Sequence, residues 1–195
     1  MRLSDSDILI IAGQEGLCDD HWQARWLARL PTARLVKASA ARPPDYDKWA
    51  GRIVAAVIEA RLPAIAVAHG SGITALLHAA GQLPEGKLAG AFLVAAEDPQ
   101  CRGFTGEADK PECDGADADA KAAAALPLKP LPFPSLLVAS SNSPYCSLEQ
   151  AKVFASAWGA KLVEAGDSGH IDDQSGHGPW PEGLMRFGAF LKTLS

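Results

Sequence analysis

The segment Ala64-Ile-Ala-Val-Ala-His-Gly-Ser-Gly-Ile-Thr-Ala75 is an apolar run that breaks into a glycine-rich turn and continues as a helix. That layout matches the corner on which a strand–turn–helix unit presents an attacking serine in the pattern G-x-S-x-G. Small residues flank the nucleophile two positions away on either side. Ala68 and Gly72 are the small flanks here, so the nucleophile position is residue 70, and it is Gly70. Glycine has no side chain with which to attack. The adjacent hydroxyl belongs to Ser71, which in such a corner lends its backbone N–H to an oxyanion hole and points its side chain off the turn. Gly70 and Gly72 relax the backbone, so a re-formed turn that presents Ser71 is the alternative.

Ligands of an open parallel sheet bind at the carboxyl ends of its strands. The polar residues that follow each strand are therefore the ones to weigh. Gln14 and Glu15 follow the first strand and, with Ser71, are the candidates for oxyanion-hole and pocket groups. Glu97 and Asp98 follow the fourth and are candidate acids, though an ordinary strand-end carboxylate is the plainer reading. Ser141-Asn-Ser-Pro-Tyr145 follows the fifth, and Gly166-Asp-Ser-Gly-His170 the sixth. A corner, then an acid loop, then Gly-His is the chain order Ser…Asp…His of one class of nucleophilic triad. His69 reads as a packing residue and His21-Trp22 as a helix start. No H-E-x-x-H or H-x-H spacing occurs, so no metal is expected, and no cofactor. Cys18, Cys101, Cys113 and Cys146 form no C-x-x-C pair and read as dispersed thiols, with Cys101–Cys113 the pair to check for a disulfide.

The elements that must position these groups alternate short apolar runs with longer amphipathic ones, the pattern of βαβ units on a parallel sheet. Strands are expected near Ile8–Ala12, Ala33–Lys37, Pro63–His69, Ala89–Ala95, Ser135–Ser140 and Lys161–Glu164. Helices are expected over His21–Leu30, Tyr46–Ala60, Ile73–Ala80, Leu148–Trp158 and Glu182–Leu194. The fold class is α/β, a three-layer α/β/α sandwich with six parallel strands in the order 2-1-3-4-5-6. A length of 195 residues suggests one domain over 1–195. Within it, 96–134 is an acidic, Ala- and Pro-rich excursion of the length that usually serves as a lid or a surface loop. Its acidic residues lack calcium-loop grammar. Lys plus Arg total 18 against 23 Asp plus Glu, a net charge of -5 without a basic cluster, which argues against a nucleic-acid partner. The N-terminal apolar run is too short for a membrane span or a signal core, so a cytoplasmic location without membrane attachment is expected.

With those pieces in place, the chain resembles the YdeN-like serine hydrolases, relatives of the retinoblastoma-binding-protein-nine hydrolases within the α/β-hydrolase superfamily. The resemblance runs through Ile8–Gly13 with Asp20-His-Trp-Gln23, the Val67-Ala-His corner, and Leu131–Ser140. It continues through Asn142-Ser-Pro-Tyr-Cys-Ser147, Ala157-Trp-Gly159, Gly169-His-Ile171 and Gly178-Pro-Trp-Pro-Glu-Gly183. It implies a nucleophile at Gly70, an acid at Ser143 and a base at His170. Two of those three positions depart from a Ser-His-Asp triad. The expectation is a degenerate serine hydrolase, a pseudoenzyme that keeps a pocket beside His170 for a small ester- or acyl-like ligand or for a protein partner. The alternative is a weak small-ester hydrolase that uses Ser71 or a His170-activated water.

Overall fold

The structure is a computed structural model and describes residues 1–41, 44–99 and 126–194. Strands β1 (Asp7–Ile11), β2 (Ala33–Leu35), β3 (Ala64–His69), β4 (Leu88–Val94), β5 (Ser135–Ala139) and β6 (Lys161–Glu164) pair in parallel, in the order β2-β1-β3-β4-β5-β6. The strand order expected from the sequence is the one observed. Helices are α1 (Trp22–Arg29), α2 (Tyr46–Ile58), α3 (Ser71–Ala80), α4 (Leu148–Trp158) and α5 (Pro181–Leu191).

Strands covered on both faces read as unbroken apolar runs, which is why Ala64-Ile-Ala-Val-Ala looked like a strand with no polar alternation. The register sorts those side chains. Ile10, Val67, Phe92 and Leu136 are partners across four strands and face Trp22 and Trp26 of α1 and Phe187 and Phe190 of α5. Ile11, Ala68, Leu93 and Leu137 form the row beside it on the opposite face, against Trp49 of α2, Leu76 of α3 and Trp158 of α4. Capping fits the boundaries: Asp45 accepts from the Lys48 N–H to start α2, and Ser147 from the Gln150 N–H to start α4.

Most element bounds shift by one to three residues from expectation; α2 ends at Ile58 instead of Ala60, and α5 runs Pro181–Leu191 instead of Glu182–Leu194. Two further shifts stand out. The edge strand β2 stops at Leu35 instead of Lys37, and α3 begins at Ser71 instead of Ile73. The second difference has a cause: Gly70 alone makes the turn, so no loop residue separates it from the helix. Residues 100–125, which hold Cys101, Cys113 and the acidic cluster from Glu107 to Asp119, lie outside the described residues. Among the described residues, no helix is long and apolar enough to cross a membrane.

Candidate functional site

β1 has β2 on one side and β3 on the other, so chain direction across the sheet reverses there, and the strand ends open into a crevice. The loop after β1 and the corner after β3 meet at that point. Gly70 adopts φ 55 and ψ −130, and its N–H donates to the Val94 carbonyl at 3.1 Å. This left-handed geometry is strained for any residue with a Cβ and is the sharp turn on which such corners rest. Gly72 is required for a different reason. A Cβ there would lie 2.5 Å from the Ile11 carbonyl oxygen and 2.7 Å from that of Ala12, so α3 starts hard against the end of β1.

His170 arrives on the loop after β6 and is buried. Its N–H donates to Ser175 Oγ at 3.0 Å, and its carbonyl accepts from His69 Nε2 at 2.9 Å. Because a carbonyl only accepts, His69 carries its proton on Nε2. Burial, then the neighbouring His170 and His21 imidazoles, push the His69 pKa down to about 3, so the ring is neutral and serves to position His170. Burial also lowers His21, which outweighs the opposing pull of Asp173 and Asp172. The His170 ring sits between the edges of His69, 4.7 Å away, and Tyr145, 4.6 Å away. At Asp172, burial acts to raise the pKa, but bonds from Ser175 prevail and hold it below the ordinary range. Ser175 thereby links Asp172 to His170.

The acid loop is stitched to the histidine loop but makes no bond to the imidazole. Asn142 Oδ1 accepts from the Gly169 N–H at 2.7 Å and from Ser140 Oγ at 2.8 Å. Ser143 Oγ instead accepts from the Tyr145 N–H within its own turn. His170 Nδ1, the nitrogen that a triad acid holds, is buried and without a hydrogen-bond partner among the described residues. On the other side of the ring stands Glu97. Its Oε1 is 3.4 Å from His170 Nε2, long for a hydrogen bond and within ion-pair reach when the ring is protonated. A Cβ built on Gly70 would lie 2.6 Å from that same Oε1 and 3.3 Å from His170 Nε2. The carboxylate therefore occupies the space that a side chain at position 70 would take. A triad acid supports Nδ1; Glu97 meets the nitrogen that faces the nucleophile. Asp98 contributes a backbone N–H to the Tyr145 carbonyl at 2.9 Å.

Ser71 is buried at the first turn of α3, and its Oγ accepts the Gln14 N–H at 2.9 Å. Gln14 itself is half-buried and reaches the Ala41 carbonyl through Nε2, while Glu15 is exposed. Cys18 is an exposed free thiol, and Cys146 is buried with its Sγ toward the Ser147 carbonyl. Tyr145, Ser175 and Asn142 were not singled out by sequence reasoning. Their only signal was adjacency to the positions that were.

A family model described as serine hydrolase matches residues 8–189. The chain is 30% identical to a Pectobacterium atrosepticum protein described as a YdeN-like hydrolase, with a TM-score of 0.77 over 97% of this chain and 92% of that one. It is 18% identical to the ydeN gene product of Bacillus subtilis, with a TM-score of 0.70 over 96% and 99%. RedJ, a thioesterase from the prodiginine pathway of Streptomyces coelicolor, shares the fold at 16% identity and a TM-score of 0.65, over 95% and 86%. No curated protein matches the sequence. With nearly its whole length matched and a six-stranded sheet of the same build, the chain belongs to the serine hydrolase family, as a YdeN-like member of the α/β-hydrolase superfamily.

Proposed function

We propose that this protein is a serine-hydrolase relative that no longer forms an acyl-enzyme and uses the retained corner to bind, with a small ester- or acyl-like ligand or a protein partner as occupant. The observation that carries this reading is the corner itself: Gly70 offers no nucleophile, and the Glu97 carboxylate lies where its side chain would be. Acyl transfer needs a hydroxyl or thiol in that seat and a base free to take its proton. The His170 Nδ1, without a partner among the described residues, supports the same reading, because none of them fixes the tautomer or stabilises an imidazolium from that side.

A displaced Ser71 is the competing route. Its hydroxyl is buried and accepts the Gln14 N–H, so presenting Ser71 would require that bond to break and the corner to re-form. Labelling with a fluorophosphonate probe separates the two. Intact-mass analysis of the native protein should show no phosphonylated species. A single adduct that disappears in Ser71→Ala would establish the displaced serine in its place.

A further inference from the structure

The vacated seat is not empty, and what fills it is specific. Glu97 and His170 have side chains only 9% and 10% exposed, so the pair is shielded from water. Their aim is fixed by backbone that few residues adopt. Ala95, two positions before Glu97, has φ 52, and Ile171, immediately after His170, has φ 54. Non-glycine residues there cost on the order of 1 kcal/mol or more and persist only where the surroundings enforce them. At Ile171 the enforcement is visible: the side chain is fully buried, and the carbonyl accepts from Trp22 Nε1 at 2.9 Å. The Glu97 segment is tied to the loop that carries Tyr145 by the Asp98 N–H.

We infer that Glu97 is an internal occupant of the catalytic seat, a carboxylate that takes both the volume and the histidine contact of the missing serine. Nucleophilic chemistry at position 70 is blocked by Glu97 as well as by the missing side chain of Gly70. This inference rests on the proposed loss of acyl-enzyme chemistry and makes a demand that the loss alone does not. Restoring the triad residues is expected to fall short, because a serine at position 70 would bring its Cβ to 2.6 Å from Glu97 Oε1, and the buried carboxylate would have to swing aside before the hydroxyl could line up. A carboxylate-sized hole should also appear when Glu97 is shortened.

The test compares Gly70→Ser/Ser143→Asp with the same pair plus Glu97→Ala, by the rate of fluorophosphonate labelling. The triple variant should label about 100-fold faster than the pair, the cost of a nucleophile pushed out of line. Equal rates in the two would overturn the inference. Labelling of the native chain would instead overturn the reading beneath it. A second measurement leaves Gly70 in place and so avoids any folding defect from a serine at positive φ. At about 100 mM, formate should raise the melting temperature of Glu97→Ala, because bound ligand adds RT ln(1 + [L]/Kd) of stability, and should leave the native protein unmoved. An unmoved Glu97→Ala, or an equal rise in both, would count against a carboxylate seat.

Discussion

Gly72→Ala is expected to destabilise the fold by about 3 kcal/mol or more, the upper end for overpacking. The new methyl would meet backbone carbonyls of Ile11 and Ala12 at 2.5 and 2.7 Å, not the yielding end of a side chain. Relief would require α3 to move off the end of β1, which separates the corner from the Gln14 loop. In a domain of this size the melting temperature should drop by roughly 10 °C. The matched control is Gly188→Ala in α5, where nothing lies within 4 Å of the added methyl. That change should stabilise by roughly 0.5–1 kcal/mol, through helix propensity. A tolerated Gly72→Ala would mean that α3 is not seated as described.

Acid should cost stability through His69. An ordinary histidine titrates near 6.5, and this one is held at about 3, so between those values the unfolded chain binds a proton that the native chain refuses. Stability is therefore complete above the upper value and is lost progressively as the pH falls through the window. By linkage, about 3 kcal/mol should disappear between pH 7 and pH 4.5. The lowered His21 pKa acts in the same direction. His69→Gln keeps a donor for the His170 carbonyl and does not titrate. Urea unfolding at the two pH values should show a much smaller loss in the variant than in the native protein. Equal losses would place the acid sensitivity elsewhere.

The architecture was legible because its strands are buried on both faces, so Ile8–Ile11 and Ala64–Ala68 announce themselves as apolar runs. Gly70 and His170 were legible because a corner flanked by small residues and a Gly-His after the last strand keep fixed places in chain order. The state of the site was not. Glu97 was visible only as one of two strand-end carboxylates, and no sequence pattern says that Ala95 turns left-handed and sends it into the gap beside Gly70. In the sequence, Ser71 reads as an oxyanion-hole N–H with its side chain off the turn, or as a displaced nucleophile. Only its bond to the Gln14 N–H, across 57 positions, distinguishes them. The unsupported His170 Nδ1 follows from Ser143, yet it took the Tyr145 N–H bond to show where that hydroxyl had gone.

Pre-steady-state hydrolysis of p-nitrophenyl acetate reports whether a covalent acyl intermediate forms. The native protein should show no burst of nitrophenolate and a slow steady release that His170→Ala leaves unchanged. A burst approaching one equivalent per chain, abolished by His170→Ala, would show that the chemistry survives and contradict the account.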